Sequence, residues 1–246
     1  MRVTLEGFHA VKHALRFGGD VDPLLVLDAE KALAFARSHA PDLVAVFAER
    51  AREVDAAEFT RVIGRAHPTG VGGLADRPGF DPGLVARTGS DPGPVARTAP
   101  LVLLDNPRNL GNFGAVIRVA AGLGAGGVVS VGDVDPWHPN VVRGSAGLHF
   151  ALPVGRLAGV GGVDGLDGIG GEVIAFDADG EDLRDVRIPD DAVLAFGSER
   201  HGLSDAVRER ADRVVSLPMR PKVSSYNLTT SVAMALYHWE LFRRAS

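Results

Sequence analysis

The chain has 246 residues, enough for one large or two small domains, and 46% of them are hydrophobic, which is sufficient for a sizeable core. It contains no cysteine, which excludes disulfides and thiolate metal sites and favours a cytoplasmic protein. The formal net charge of −5 argues against a general polyanion binder but is compatible with a local basic face. No apolar run is long enough for a membrane span, and the first residues lack the continuous apolar core of a signal peptide.

Residues 1–80 are predicted to form a small α/β domain, because helical and strand patterns alternate along them. The predicted elements are a helix over 6–18, a strand over 23–28, a helix over 29–40, a strand over 43–47 and one or two helices over 49–64.

A linker is predicted at 81–100, where the near-duplicates DPGLVART and DPGPVART are rich in proline and glycine. Such a segment fits neither a helix nor a central strand. A second glycine-rich segment, 155–171, carries a weak helical pattern and is expected to be poorly ordered.

The region after the linker, residues 101–246, is predicted to be a second α/β domain. Five apolar segments predict strands, at 101–105, 127–131, 173–176, 192–196 and 214–218. Nearly continuous apolar strands are typical of a parallel sheet that is covered on both faces.

The glycines Gly122, Gly124 and Gly127 match the Gly-x-Gly-x-x-Gly pattern of a dinucleotide-binding loop. In such a loop the glycines follow a strand and open a helix, whose N-terminus meets the pyrophosphate. Here they follow the helical pattern of 112–123 and precede the apolar run 127–131. The order therefore predicts a helix C-cap and a tight turn, and it disfavours a nucleotide-dependent dehydrogenase.

A first polar cluster, 105–120, follows the first predicted strand of the second domain. Arg118 lies seven residues after Gly111 and four after Gly114, so the three share one helix face. A glycine track beside an arginine lets a ligand approach the helix closely, at the strand end where open α/β sheets bind ligands. The alternative is a solvent-exposed arginine with glycines that serve helix packing.

A second polar cluster, 194–205, runs from a strand into Gly-Ser-Glu and a polar turn. Glu199 lies just past the buried strand, although an ordinary helix start capped by Ser198 or Ser204 explains the same pattern. His201 has no second ligand at useful spacing, so we predict no metal site.

A third cluster, 216–243, begins with a proline-containing loop in which Ser224, Ser225 and Asn227 are candidate caps for a terminal helix. This helix has two apolar sets: Leu228, Val232, Ala235, Leu236 and Trp239, and Met234, Tyr237 and Leu241. A helix with two apolar faces should be covered on both, which predicts a partner subunit or a packed N-terminal domain on the second face.

Basic residues are concentrated between positions 200 and 222, where six stand against three acidic ones. The six are Arg200, Arg208, Arg210, Arg213, Arg220 and Lys222. This edge is either a phosphate-contacting surface or a mixed-charge helix face.

Taken together, the three clusters resemble the SpoU (TrmH-type) family of SPOUT RNA ribose methyltransferases. The resemblance covers about residues 101–243, through NLGNFGAVIR, FGSERHGLS and LPMRPKVSSYNLTTSVA, and EGFHAVKHAL is similar to the small RNA-binding domain of many ribosomal-RNA members. By position it implies catalytic roles for Asn112, Arg118, Glu199, Ser225 and Asn227. It implies cofactor contacts from Gly197, Leu217, Met219 and Tyr226, with Tyr226 standing where the family usually has leucine.

The resemblance further implies S-adenosylmethionine bound at a deep trefoil knot, and methyl transfer to a ribose 2′-hydroxyl of RNA without a metal. It also implies a homodimer with the active site near the interface, and we place that interface at the C-terminal helix. Arg118 is the family's catalytic arginine, proposed as general base. A guanidinium keeps its proton under ordinary conditions, so an equal alternative is a charged group that holds a phosphate and stabilises the developing alkoxide.

Three functions remain open at this stage. Ribosomal RNA is favoured as the substrate, and transfer RNA is the alternative, against which the extra N-terminal domain argues. A catalytically silent RNA-binding or ribosome-assembly module is disfavoured, because a silent protein has no chemical reason to keep all five catalytic-type residues. The sequence names neither the methylated nucleotide nor a housekeeping or antibiotic-resistance role.

Overall fold

The structure is a computed structural model that describes residues 1–80, 97–157 and 169–244. Most of the predicted linker 81–100 and of the glycine-rich segment 155–171 therefore lies outside the described residues. The chain divides into two compact units, each built from two stretches of sequence. Unit 1 comprises Met1–Gly79 and Trp137–Ala151, and unit 2 comprises Phe80–Pro136 and Leu152–Ser246.

Unit 1 contains a four-stranded sheet with helices. Its strands are β1 (Arg2–Glu6), β2 (Val21–Val26), β3 (Ala51–Glu53) and β4 (Val71–Asp76), in the order β1-β4-β2-β3. Strand β4 is antiparallel to both of its neighbours, and β2 and β3 are parallel. Its first helices are α1 (Phe8–Arg16), α2 (Ala29–His39), α3 (Val44–Arg50) and α4 (Ala56–Ile63).

The predicted strand at 43–47 is wrong, because Val44–Arg50 is helix α3 after a single turn at Pro41–Leu43. Leu43 and Phe47, four residues apart, are the buried side chains here, which is helical spacing. A short apolar run fits either structure, and Pro41 at the start of the turn favours a helix. Strands β1, β3 and β4 were not predicted. Strand β3 lies inside the segment 49–64 that was predicted to be helical, and two adjacent glycines in β4 weaken its strand pattern.

The segment Trp137–Ala151 belongs to unit 1 by its contacts, although it lies between two strands of unit 2 in sequence. It contains helix α6 (Pro139–Gly144), which contacts β1. His13 of α1 makes a 2.8 Å hydrogen bond from Nδ1 to the Ala146 carbonyl. A Cβ on Gly147 would lie 2.4 Å from the Ala10 carbonyl oxygen, so a glycine permits this close approach to α1.

Unit 2 contains a six-stranded parallel sheet in the order β10-β8-β9-β5-β6-β7. The strands are β5 (Leu101–Asp105), β6 (Gly127–Val131), β7 (Val154–Arg156), β8 (Val173–Asp182), β9 (Val193–Phe196) and β10 (Arg213–Ser216). The helices are α5 (Leu110–Leu123), α7 (Asp205–Glu209) and α8 (Leu228–Arg244). The prediction of a parallel α/β sheet is confirmed, and β5 and β6 have their predicted bounds.

The glycine-rich turn after α5 is also as predicted. Gly124 is the C-cap in the left-handed conformation, with φ 71° and ψ 32°. A Cβ on Gly126 would lie 2.6 Å from the Ala99 carbonyl oxygen, so the chain needs a small residue there. Because these glycines end a helix, they do not form the nucleotide loop that their spacing suggests.

Helix α8 packs against α5, and the first of its two apolar sets is buried. Leu228, Val232, Ala235, Leu236 and Trp239 are buried. In the second set, Tyr237 is 57% exposed and Leu241 is 51% exposed, whereas Met234 is half-buried. Trp239 is thus a core residue, and its Nε1 donates a 2.8 Å hydrogen bond to Asp190.

Candidate active site

A pocket of about 520 Å³ lies at the carboxyl ends of strands in unit 2, where parallel α/β sheets place their ligands. We call it the strand-end pocket. Its lining comes from the middle of β8, the end of β9, the turn after β9, and the loop that leads into α8. The residues are Phe176, Asp177, Ala178, Phe196, Gly197, Ser198, Glu199, Arg200, Gly202, Leu217, Met219, Ser224, Ser225, Tyr226, Asn227, Leu228 and Ser231.

The turn after β9 is built around a glycine. A Cβ on Gly197 would lie 2.0 Å from the carbonyl carbon of Gly202, so no larger residue fits. Ser198 and Gly202 exchange two backbone hydrogen bonds, of 2.9 and 3.0 Å, which close the turn. Glu199 follows directly and is presented at the pocket.

Apolar side chains provide part of the pocket surface. The rings of Phe176 and Phe196 stack with centroids 4.6 Å apart and planes 8° apart. Leu217 and Met219 add aliphatic surface from the loop after β10. The hydroxyl of Tyr226 donates a 3.0 Å hydrogen bond to the Pro218 carbonyl, so this tyrosine ties the two ends of its loop together.

Three of the predicted catalytic side chains form one hydrogen-bonded chain. Asn112 Nδ2 donates to Glu199 Oε1 at 2.6 Å, and Asn227 Nδ2 donates to Asn112 Oδ1 at 3.2 Å. Asn227 in turn accepts from the Thr229 amide at 2.9 Å and so caps the start of α8. The side-chain amides of Asn112 and Asn227 are each held by two hydrogen-bonding partners, and the bond from Asn112 fixes the orientation of the Glu199 carboxylate.

Asp105 at the end of β5 is a buried acid that the sequence reasoning did not single out. It is 4% exposed, and its Oδ2 accepts a 2.6 Å hydrogen bond from the Ser204 amide. Ser204 caps α7, as one of the sequence alternatives predicted. This bond ties the turn that carries Glu199 to the central strand, and the signal for it was an acid at the end of an otherwise apolar strand.

The predicted catalytic residues do not all meet in the pocket. Glu199, Ser225 and Asn227 line it, and Asn112 joins it through Glu199 and Asn227. Arg118 is exposed on α5 and is absent from the lining formed by the described residues. The four predicted cofactor contacts, Gly197, Leu217, Met219 and Tyr226, all line the pocket.

The predicted basic edge is partly neutralised by acids. Arg208 forms an ion pair with Asp177, and the hydrogen bond that Arg208 donates to that carboxylate raises the pKa of Arg208 above its usual value. Arg213 binds Glu181 at 2.7 Å, which raises the pKa of Arg213 and lowers that of Glu181. Arg200, Arg220 and Lys222 are exposed.

The described ranges contain no group of three or more His, Cys, Asp or Glu side chains that could hold a metal ion. Among the helices of these ranges, none combines the length and apolarity needed to cross a membrane.

Comparison with known proteins places this site in a family context. Residues 99–237 match the sequence model of the SpoU rRNA Methylase family. The chain is 35% identical over 144 residues to a 23S rRNA (uridine(2479)-2'-O)-methyltransferase of Streptomyces viridochromogenes, covering 55% of this chain and 50% of that protein. It is also 35% identical over 142 residues to an uncharacterized tRNA/rRNA methyltransferase of Archaeoglobus fulgidus, covering 56% and 62%. The chain thus spans between one half and about three fifths of these curated relatives.

Two solved structures extend the comparison. The SpoU methyltransferase AviRb of Streptomyces viridochromogenes, solved with the cofactor AdoMet, has a TM-score of 0.78 and 26% identity, covering 100% of this chain and 92% of that chain. A structure concerned with 2-OH methylation of C/U34 on tRNA has a TM-score of 0.54 and 26% identity, covering 62% of this chain and 100% of that chain.

Proposed function

The chain belongs to the SpoU rRNA methylase family, and from that premise we propose that it transfers a methyl group from S-adenosylmethionine to a ribose 2′-hydroxyl of ribosomal RNA. The observation that carries the proposal is the strand-end pocket with the hydrogen-bonded Asn112, Glu199 and Asn227 beside it. The 23S rRNA 2'-O-methyltransferase relative and the AdoMet-bound AviRb structure support both the reaction and the cofactor.

The residues of the strand-end pocket fit S-adenosylmethionine. Its volume lies in the range of small-molecule sites. Leu217, Met219 and the Phe176–Phe196 pair offer apolar surface for an adenosine ring. The backbone at Gly197, and the hydroxyl of Ser225, offer polar groups for the ring edge and the amino-acid part.

The cofactor supplies an electrophilic methyl group, so the protein's task is to position the ribose hydroxyl and assist its deprotonation. Orientation alone can lower such a barrier by several kcal/mol. We propose that Asn112, Glu199, Ser225 and Asn227 orient the ribose and the loop. Arg118 either accepts the proton or, remaining charged, holds a phosphate and stabilises the developing alkoxide.

We propose that the enzyme acts as a homodimer through α8. The outward Tyr237, Leu241 and Phe242 support this proposal, because they form an exposed apolar set on one helix. Arg118 lies on α5, the helix that packs against α8, and not at the strand-end pocket of its own chain. An interface at these helices therefore accounts for an arginine that its own pocket does not use.

We further propose that residues 1–80 select the RNA and that 81–100 tether them to a methyltransferase domain of residues 101–246. The trefoil knot in that domain and a cytoplasmic location belong to the same proposal. Transfer RNA remains the alternative substrate, since the tRNA-related structure matches 62% of this chain. Ribosomal RNA is favoured because the matching relative of Streptomyces viridochromogenes is named a 23S rRNA (uridine(2479)-2'-O)-methyltransferase.

Ribose-methylation mapping tests the proposal. Total RNA from cells with and without the gene is compared, and one ribosomal ribose should lose its methyl group in the deletion strain. Restoring the gene should restore the methyl group, and the Asn112→Ala form should not. If the deletion strain loses a methyl group only on a transfer RNA, the alternative substrate is established. If the methylation map is unchanged and the protein does not bind S-adenosylmethionine, the proposal is refuted.

A further inference from the structure

A second pocket, of about 700 Å³, lies beside the strand-end pocket in unit 2. We call it the Arg108 pocket. Its lining residues are Asn106, Arg108, Asn109, Ser198, Glu199, Arg200 and His201. Ser198, Glu199 and Arg200 line both pockets, so a single turn of chain forms the wall between them.

The two pockets are lined by different types of residue. The strand-end pocket carries aromatic and aliphatic side chains, including Phe176 and Leu217. Every residue that lines the Arg108 pocket is polar or charged, with two arginines and one histidine against a single acid. That acid, Glu199, already accepts a hydrogen bond from Asn112. The Arg108 pocket therefore suits a polar, anionic occupant such as a phosphate joined to a sugar.

The guanidinium of Arg108 is poorly held by its acidic neighbour. Its distance to Asp133 is 4.0 Å, and the two side chains are 60% and 91% exposed. An exposed pair at this separation contributes little free energy. Arg213, by contrast, is held by Glu181 at 2.7 Å. Arg108 can therefore turn to a phosphate at little cost, whereas Arg213 would first have to leave a close partner.

The common wall places this anionic pocket next to the groups that are proposed to orient the ribose. A nucleotide in the Arg108 pocket has Glu199 on the side that faces the strand-end pocket. We propose that the Arg108 pocket receives the target nucleotide of the RNA, and that Arg108 and Arg200 bind the phosphates that flank it. This inference rests on the proposed methyltransferase function and adds the site at which that enzyme holds its substrate.

The test compares four forms of the full-length protein: wild type, Arg108→Gln, Arg200→Gln and the double variant. Arg184→Gln is the matched control, because Arg184 is an exposed arginine of unit 2 that hydrogen-bonds Asp182 and lines neither pocket. Binding of unmodified ribosomal RNA transcript is measured by fluorescence anisotropy between 50 and 300 mM salt. Cofactor affinity is measured by calorimetry, and methylation by transfer of a labelled methyl group.

Each single variant should weaken RNA binding about tenfold, the effect of losing about 1.4 kcal/mol. Each should also reduce the slope of log affinity against log salt by about 1, because one phosphate contact is lost. Arg108→Lys should recover the slope and only part of the affinity, since lysine keeps the charge and loses the planar fork. Cofactor affinity of Arg108→Gln should stay within about threefold of wild type, because Arg108 does not line the strand-end pocket, and a merely misfolded variant would not keep it.

The inference would be overturned, and the proposed function left intact, if the double variant had the same RNA affinity and the same salt slope as Arg184→Gln. The proposed function itself fails separately, if wild-type protein neither binds S-adenosylmethionine nor methylates RNA. A loss of cofactor affinity in Arg108→Gln would also overturn the inference, because Arg108 would then serve the strand-end pocket.

Discussion

Replacing Asn112 by aspartate should disable the hydrogen-bonded chain at one atom while keeping its shape. The change converts Nδ2, which donates to Glu199 at 2.6 Å, into a second carboxylate oxygen. The acceptor that Asn227 uses at 3.2 Å is kept. At 2.6 Å, two like charges repel by about 1.6 kcal/mol at the dielectric of water and about 6 kcal/mol at an effective dielectric of 20. The pair is exposed, so we expect a cost near the lower figure.

A cost of this size predicts that Asn112→Asp loses about tenfold or more in kcat/KM at pH 8, since each 1.36 kcal/mol is tenfold in rate. The repulsion also raises the pKa of one carboxyl of the pair. As the pH falls from 8 towards 5, that carboxyl takes up a proton before an isolated carboxyl would and becomes a donor again, so the ratio of variant to wild-type activity should rise as pH falls. Single-turnover methylation across this pH range, with calorimetry for S-adenosylmethionine, measures both effects.

The double variant Asn112→Asp/Glu199→Gln is the control, because it restores one amide and one carboxylate with the donor reversed. In this double variant the ratio of variant to wild-type activity should no longer change with pH. If its activity is still below that of the wild type, the reaction needs the negative charge at Glu199 itself. An Asn112→Asp protein with wild-type turnover at pH 8, normal folding and normal cofactor binding would falsify the role assigned to this network.

Further predictions concern the arginine, the interface, the N-terminal unit and pH. Arg118→Lys should keep cofactor affinity and lose about a hundredfold in turnover, because lysine cannot make two parallel hydrogen bonds; near-normal single-turnover rates would rule this out. Tyr237→Glu should shift light-scattering mass from dimer to monomer, since it would bury a charge in the proposed contact, and an unchanged mass would contradict the interface. A fragment that begins at Ala99 should bind S-adenosylmethionine with near-normal affinity but lose activity on RNA. Protease should cleave it within 137–151, because that segment loses its packing partners in unit 1. A folded fragment that does not bind the cofactor would contradict the assignment of RNA selection to residues 1–80 and of cofactor binding to residues 101–246. Burial lowers the pKa of His13, so below pH 6.5 the folded state takes up fewer protons than the unfolded state, and the free energy of unfolding should fall as the pH drops from 6.5 towards 5. The thermal unfolding temperature of His13→Gln should depend less on pH than that of the wild type. An identical pH dependence would exclude His13 as a source of the pH-dependent stability.

Several features of the protein follow from local sequence alone. Apolar runs predicted five of the six parallel strands of unit 2, all but β7, because strands buried on both faces need apolar residues at every position. The glycines after α5 predicted a turn, because they follow a helical pattern instead of preceding one. Motif order along the chain also indicated which segments meet at the strand ends, since parallel strands bring their carboxyl ends to one edge.

The tertiary structure decided which side chains touch. Asn112 and Glu199 are 87 residues apart, and Asp105 and Ser204 are 99 apart, so no periodicity reports their hydrogen bonds. The inward and outward sets of α8 look alike in sequence, and only the fold makes Trp239 a buried core residue and leaves Tyr237 exposed. The segment Trp137–Ala151 was joined to unit 1 by contacts with α1 and β1. Sequence patterns report the local backbone and the face that is buried, whereas these pairings depend on the path of the chain between distant segments.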